Sequence, residues 1–400
     1  MVKFTKSDRK NRTIMLPQML EYHSAFLKAA FEASGYKIDI MHSNEPPSKY
    51  EALRYISSDY CYPTVLIVGQ VLETIRKNGG DCHSLAFMEP QAGGACRAGN
   101  IYNLLIETLE KLGYNAPVIS LNFRGQERHP GFKITPKLVK NAAAAVCVGD
   151  LMMLLYQQTK PYEIISGETD KVYKKAEEYA CNAIKSGKVK RAEMYSEIIK
   201  AFKKVKVSDV KKKRVGVVGE IYIKYSSLGN HKLEKYLADN GCEVYFGGFA
   251  NYIIYVADSE KTSFMLQHKS KAAARVFDFV IRIMEKLQLE MLKAVRAQGY
   301  ETDYSFSELR KKADGIISSF CTNGDGWLIA AEVVQAIENG CKNVLIVHPF
   351  GCLVSHVCER GILRSLKDRY KDINIQTIEY DYDQSPTLRE SRILLGLVEK

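Results

Sequence analysis

The sequence predicts an α/β protein built from two Rossmann-like, doubly wound units of parallel sheet. Short apolar runs typical of buried strands alternate with amphipathic stretches of helical length. This alternation occurs in residues 13–122 and again in residues 214–398. Strands separated by helices favour parallel sheets with helices on both faces. A chain of 400 residues is also too long for one ordinary core, so two units are expected.

The first unit has strand and helix signals in regular alternation. Its strand-like segments are 13–17, 37–41, 85–88 and 117–122, and its helix-like segments are 22–34, 64–75 and 100–112. Gly35 and Gly113 follow the first and third of these helices, as glycine commonly does at a helix end. The order of the segments predicts a sheet whose crossovers are helices.

A mostly helical region from residue 140 to about 207 separates the two units, with breaks at Lys160-Pro161 and at Gly167. The second unit then has strand-like segments 214–220, 242–246, 343–347 and 373–380 and helix-like segments 231–240, 261–298, 326–339 and 385–398. We therefore divide the chain into an α/β domain (1–160), a helical connector (161–212) and a second α/β domain (213–400). A helical insertion is expected at about 255–315.

Composition and charge place the chain among soluble proteins. The apolar fraction is 46% and the charged fraction 26%. We find no stretch that reaches the apolar length of a membrane span, and the first ten residues lack the apolar core of a signal peptide. A cytoplasmic protein without a membrane partner is therefore expected. The net charge of +11 calls for an anionic partner, but no nucleic-acid-binding motif accompanies it, so nucleic acid is not expected.

Three cysteines stand in unusual turns at the ends of predicted elements. They are Cys61 in Tyr-Cys-Tyr-Pro, Cys96 in Gly-Gly-Ala-Cys-Arg, and Cys352 in Pro-Phe-Gly-Cys. Ten cysteines in a cytoplasmic chain favour metal or redox chemistry over a disulfide framework. Three thiolates would hold an iron–sulfur cubane and leave one iron open to a further ligand. The alternative is that each thiol is a small buried apolar group.

The order of several motifs resembles that of the 2-hydroxyacyl-CoA dehydratase family, in the branch related to its activases. The motifs are Met15-Leu16-Pro17-Gln18-Met19, Asp59-Tyr60-Cys61-Tyr62-Pro63, Gly93-Gly94-Ala95-Cys96-Arg97-Ala98-Gly99-Asn100, Val218-Gly219-Glu220-Ile221, Gly326-Trp327-Leu328 and Pro349-Phe350-Gly351-Cys352-Leu353. Together they cover nearly all of the chain.

The resemblance implies a low-potential iron–sulfur protein that receives electrons from a separate, ATP-hydrolysing activase. It implies a [4Fe-4S] cluster, or a double-cubane [8Fe-9S] cluster, bound by Cys61, Cys96 and Cys352 in the cleft between the two domains. The implied reaction is a reduction or a radical dehydration, with a 2-hydroxyacyl-CoA or a small molecule as substrate, and the implied assembly is a dimer. The alternative is a non-catalytic iron–sulfur electron-transfer or scaffold subunit.

Two segments depart from the family pattern. They are Val354-Ser355-His356 and Asp381-Tyr382-Asp383-Gln384-Ser385, and they put binding of coenzyme A in doubt. Cys321 and Cys82 are reserve ligands, which a double cubane would need. For both, a structural thiol is the alternative.

Further candidates lie beside the proposed ligands. Gly94, Arg97 and Asn100 flank Cys96 and are assigned to cofactor binding, with Arg97 offsetting cluster charge or forming a surface salt bridge. His348 and His356 bracket Cys352 as proton donors or as hydrogen-bond donors to the cluster, and a core or capping role is the alternative for His348. Glu220 follows Val218-Gly219 and either lines the cleft or caps a helix.

Overall fold

Two four-stranded parallel sheets form the framework of the protein in a computed structural model. It describes residues 1–43, 47–90, 96–121, 129–267 and 270–398, and for residues 47–49, 90, 97 and 98 it describes the backbone alone. The strands are β1 (Thr13–Leu16), β2 (Ile38–Ile40), β3 (Leu85–Pro90), β4 (Val118–Leu121), β5 (Lys213–Gly219), β6 (Cys242–Phe246), β7 (Asn343–Pro349) and β8 (Asn374–Tyr380). The prediction of an α/β fold with parallel sheets is confirmed.

Helices surround both sheets and fill the chain between them. They are α1 (Asp8–Asn11), α2 (Ser24–Glu32), α3 (Pro47–Ala52), α4 (Tyr62–Lys77), α5 (Ile101–Lys111), α6 (Pro136–Thr159), α7 (Glu168–Ser186), α8 (Arg191–Phe202), α9 (Ile221–Tyr225), α10 (Leu233–Asp239), α11 (Phe249–Leu266), α12 (Lys271–Arg296), α13 (Phe306–Lys312), α14 (Gly326–Glu338), α15 (Arg360–Arg369) and α16 (Pro386–Leu397). A π-helix, Ser355–Glu359, precedes α15.

The two sheets have the same topology. Their strand orders are β2-β1-β3-β4 and β6-β5-β7-β8. In each sheet the direction of winding reverses between the two central strands, β1 and β3 or β5 and β7. Ligands of open parallel sheets bind beyond the carboxyl ends of the strands at such a reversal. The fold therefore has two binding edges, one in each unit.

Helix α4 joins the two units. Most of its length is buried on all sides, and its apolar residues belong to one cluster that includes strands and helices of both units. A helix that is apolar all round belongs in a core. The Gln70 amide on α4 donates to the Tyr222 hydroxyl on α9 at 2.8 Å. The Tyr62 amide donates to the Phe350 carbonyl beyond β7 at 3.2 Å. These contacts hold the two binding edges against each other.

A second contact between the two units joins α6 to α11. The Asp150 carboxylate on α6 accepts from the amides of Phe249 and Ala250 at 2.7 and 2.9 Å. The His23 ring on the residue before α2 also contacts Asp150, at 2.9 Å. A carboxylate at a helix N-terminus is stabilised by the free amides and by the helix dipole. This contact fixes where α11 begins.

Helix α6 bears on the expectation that no stretch reaches the apolar length of a membrane span. By length and composition alone, the helical residues Pro136–Tyr162 could cross a membrane, since an 18-residue window within them has a mean hydropathy of 1.7. However, 72% of that apolar window is buried inside the protein. Helix α6 packs against other helices on several sides, and its apolar composition is that of a core helix.

Gly219 ends β5 at the reversal point of the second sheet and has a φ of +127°. A Cβ there would collide with the Val347 carbonyl oxygen, which accepts from the Glu220 amide at 2.9 Å. We expect Gly219→Ala to lower the free energy of unfolding by more than about 3 kcal/mol, because backbone strain and a backbone collision add. Chemical denaturation would measure the loss.

Gly241→Ala is the matched control for this substitution. Gly241 also has a positive φ, +76°, but a Cβ there meets nothing within 4 Å. Its cost should be about 1 kcal/mol, from the backbone conformation alone. Equal losses in the two variants would contradict the close packing of β5 against β7.

Candidate functional site

The carboxyl edges of the two sheets face one cavity of about 460 Å³. Its polar lining consists largely of three thiols and three carboxyl groups: Cys61, Cys96, Cys352, Glu89, Glu220 and Asp325. The volume lies within the range of small-molecule sites. We call this space the central cavity.

The three thiols are brought to the central cavity by three different loops. Cys61 is the N-cap of α4, Cys96 precedes the short 3₁₀ turn Arg97–Asn100 that leads into α5, and Cys352 follows β7. Cys61 and Cys352 are buried, and Cys96 is partly exposed. All ten cysteines lie within the described residues and none forms a disulfide. The site thus gathers thiols from both units.

The loops of Cys61 and Cys352 are in contact. Gly351 has a φ of +74°, and a Cβ there would lie 3.3 Å from the Cys61 Cα. Glycine is needed here because both the backbone conformation and the close approach disfavour a side chain. The turn before Cys352 therefore fixes the distance between two of the thiol-bearing segments.

Cys61 and Cys352 share a local hydrogen-bond pattern. The Cys61 sulfur is 3.1 Å from the Thr64 hydroxyl oxygen, and the Ser355 hydroxyl donates to the Cys352 sulfur at 3.2 Å. In each case the hydroxyl is three residues after the thiol, at the first turn of a helical segment. Hydrogen bonds to sulfur and a helix N-terminus both stabilise a thiolate. Burial acts in the opposite direction and raises the pKa of the Cys352 thiol.

Glu220 has both of the roles that the sequence suggested. Its carboxylate accepts from the Ile223 amide at 2.9 Å, which caps α9, and it also lines the central cavity. Burial raises the pKa of Glu220, and burial with the Glu220 charge nearby raises the pKa of Asp325 well above its usual range. Two buried carboxyl groups in one cavity disfavour each other's charge.

Glu89 was not singled out in the sequence. It lies in β3, one residue before the strand ends, and its Oε2 atom is buried without a hydrogen-bond partner among the described residues. Burial raises the pKa of Glu89 to about 8. An acidic residue at the end of an apolar strand, Leu85–Pro90, is the signal that would have found it.

The pKa of Glu89 makes stability depend on pH. The folded protein holds this proton up to about pH 8, whereas the unfolded chain releases it near the ordinary glutamate pKa of 4.5. Stability from this group is therefore complete below about pH 4.5 and declines as pH rises to about 8. We expect Glu89→Gln to remove this decline, worth a few kcal/mol between pH 5 and pH 8.

The measurement is anaerobic denaturant unfolding of both proteins at pH 5, 6, 7 and 8. Glu107→Gln is the control, because that carboxylate is 62% exposed and pairs with Lys111 at the surface. It should change stability by less than about 1 kcal/mol at each pH. Parallel pH curves for the native chain and Glu89→Gln would contradict the burial of this carboxyl group.

The two predicted histidines do not line the central cavity. His348 is buried, with its Nδ1 atom 2.8 Å from a Glu359 carboxylate oxygen, and it does not line the cavity. His356 is exposed, and its ring centre lies 6.0 Å from that of His348. The geometry thus gives His348 a core contact outside the lining, close enough to Glu220 for the two groups to interact electrostatically.

The reserve ligands are also elsewhere. Cys82 is buried in the apolar cluster around α4, and its carbonyl accepts from Arg12. Cys321 is partly exposed and does not line the central cavity, although Asp325 on the same loop does. Burial, and after it the nearby Cys321 thiol, raises the pKa of Cys358.

The residues around Cys96 are only partly described. Asn100 is exposed and accepts from the Asn103 side chain at 2.9 Å. Gly94 lies outside the described residues, and only the backbone of Arg97 is described. Among the described residues, no group of three or more His, Cys, Asp or Glu side chains is arranged to hold a metal ion.

Comparisons of the chain with protein-family models, with curated proteins and with solved structures find no match. The fold and the cavity define an α/β protein with two parallel-sheet units and a cavity lined by residues of both.

Proposed function

We propose that this protein is an iron–sulfur reductase or dehydratase component that binds its cluster through Cys61, Cys96 and Cys352 in the central cavity. The observation that carries the proposal is that these three thiols, chosen from the sequence motifs, line one cavity of about 460 Å³ at the facing edges of two sheets. Scattered structural cysteines would not be expected to share a cavity. The cluster is a [4Fe-4S] or a double-cubane [8Fe-9S] cluster.

The donor set fits such a group in its chemistry. Thiolates are the usual ligands of iron–sulfur clusters. In a cubane each thiolate binds a different iron, so its ligands surround the group rather than converging on one point as they do around a single metal ion. Hydroxyl groups beside Cys61 and Cys352 are placed to stabilise bound thiolates. When bound, the cluster would supply low-potential electrons and an iron open to substrate.

The residues of the chain have separable tasks in this proposal. The thiolates hold the cluster, and the walls of the central cavity exclude water from the substrate. Glu89, Glu220 and Asp325 line the same space, and burial favours their protonated forms. A protonated carboxyl group can donate a hydrogen bond or a proton, which a reduction or a dehydration consumes. No step of this kind requires His348 or His356.

Electrons would come from a separate, ATP-hydrolysing activase. Apolar side chains beside Cys352 favour such docking, because Phe350 and Leu353 are 38% and 45% exposed on the loop that carries this thiol. Exposed apolar groups next to a functional loop are common at protein contacts. A partner seated there would lie close to the central cavity.

The rival is a non-catalytic iron–sulfur carrier or scaffold. A carrier would close the coordination sphere with a fourth thiolate, for which Cys321 was the candidate, and would need no cavity. Cys321 lies outside the lining, and the cavity has the volume of a ligand site. Both observations favour the catalytic proposal.

The test is chemical analysis of the anaerobically purified chain. It should be brown, contain iron and acid-labile sulfide, and give an electron paramagnetic resonance signal after reduction. Supplied with reductant, ATP and an activase, it should turn over a 2-hydroxyacyl-CoA thioester or a small multiply bonded molecule such as acetylene. A preparation with zinc and no sulfide would overturn the proposal in favour of a structural metal site. Iron and sulfide without turnover would favour the scaffold.

A further inference from the structure

The walls of the central cavity are apolar over most of their extent. Helices α2, α6, α11 and α12 contribute side chains that include Leu27, Phe31, Val146, Ile253, Val256 and Met284. These helices belong to both units and to the insertion. Buried apolar surface contributes about 25 cal/mol per Å² when a ligand displaces water from it. The lining therefore favours a ligand with an apolar body.

The titratable side chains that line the central cavity are acids rather than bases. Glu89, Glu220 and Asp325 line it, whereas no Lys, Arg or His side chain of the described residues does. This contrasts with the net charge of +11 for the whole chain. An anion entering this space would lose its hydration without gaining a cationic contact among the described lining residues, and buried unpaired charge is costly.

We propose that the substrate of this site is an uncharged molecule with an apolar body, held among the helical walls with its reacting group toward the three thiols, and not a coenzyme A thioester. That the bound molecule is a substrate rests on the proposed function. The binding preference itself follows from the described lining residues. Coenzyme A carries phosphate groups, which Arg and Lys side chains usually recognise, and the described lining residues include neither. The carboxyl groups would instead bind neutral donors and acceptors on the reacting group.

The test uses Nile red, an uncharged apolar dye, with the anaerobically purified full chain. Its fluorescence should rise on binding, and 1-decanol should displace it. Decanoate should displace it at concentrations at least about tenfold higher, and coenzyme A should not displace it. If decanoate or decanoyl-CoA displaced the dye as well as 1-decanol, or if the dye did not bind, the inference would be overturned.

Two substitutions locate the binding. Ala142→Phe fills part of the central cavity and should weaken dye binding by about tenfold or more. Ala144→Phe, on the same helix, equally half-buried and outside the lining, should leave dye binding unchanged. Equal effects of the two variants would place the dye elsewhere and overturn the inference.

A charge substitution gives an independent readout if Ala142→Phe does not fold. Val139 lines the central cavity and is 50% exposed, so Val139→Lys should be tolerated. It should improve displacement by decanoate relative to 1-decanol, because it adds a cation that the described lining residues lack. Val210→Lys is the control, since Val210 is 62% exposed and outside the lining. An unchanged ratio in Val139→Lys would count against the inference.

The outcomes separate this inference from the proposed function. If the protein contains iron and sulfide but shows no preference for neutral ligands, the proposed cluster stands and the inferred substrate class is rejected. If the protein prefers neutral ligands but contains no iron or sulfide, the apolar binding site stands and the proposed iron–sulfur function is rejected.

Discussion

Cys96→Ala is expected to remove the brown colour and most of the bound iron and acid-labile sulfide from anaerobically purified protein. The substitution takes one of three proposed thiolates from the central cavity, and the remaining two cannot complete the donor set. Cys96 is partly exposed, so the loss of its side chain should cost little folding stability. Iron and sulfide per chain, the visible absorbance and the spin signal after reduction are the measurements.

Cys341→Ala is the control for this loss. Cys341 is fully buried in the core of the second sheet, packs against Gly216 and does not line the central cavity. This variant should keep its iron, although it leaves a small cavity in the core. If Cys341→Ala lost as much iron as Cys96→Ala, the assignment of the thiols would fail. Full iron content in Cys96→Ala would have the same consequence.

The sequence predicted the two sheets because their strands are short, apolar and bounded by clear signals. Segment 343–347 was expected as a strand, and β7 extends to Pro349. The helical segment predicted at 261–298 is two helices, α11 and α12, and α11 begins earlier, at Phe249. Its first amides bind Asp150, which is about a hundred residues earlier in the chain. A contact of this kind has no local sequence pattern.

The site was partly accessible from the sequence. Strand ends predict where loops gather, so Cys61, Cys96 and Cys352 could be placed together before the structure was known. Burial of single polar residues could not be predicted in the same way. Glu89 has the sequence neighbourhood of a strand end, but only the fold shows that its carboxyl group is buried and faces the cavity.

Sequence proximity was a poor guide for the histidines. His348 is four residues before Cys352, yet it lies within β7 and its Nδ1 atom bonds the Glu359 carboxylate. Alternate residues of a strand point to opposite faces, so closeness along the chain does not give closeness in space. The thiol follows a glycine turn that changes direction, whereas the imidazole remains in the sheet.

The largest effect on stability is expected from breaking a buried ion pair near Asp325. The Lys224 ammonium lies 2.9 Å from each carboxylate oxygen of Glu332, and both side chains are almost completely buried. Burial raises the pKa of Asp303 and of Asp325, and the nearby Lys224 charge offsets part of that effect. Lys224→Met would leave the Glu332 charge without its cation in the interior. We expect a loss of about 3–5 kcal/mol in the free energy of unfolding, measured with denaturant.

Two further variants decide whether burial is the cause. Lys235→Met removes one half of a surface pair with Asp239, whose side chains are 71% and 62% exposed, and should cost less than about 1 kcal/mol. The double variant Lys224→Met/Glu332→Leu should recover most of the loss, because an apolar pair of similar size no longer buries a lone charge. A double variant as unstable as Lys224→Met would contradict the unpaired Glu332 charge as the cause of the loss.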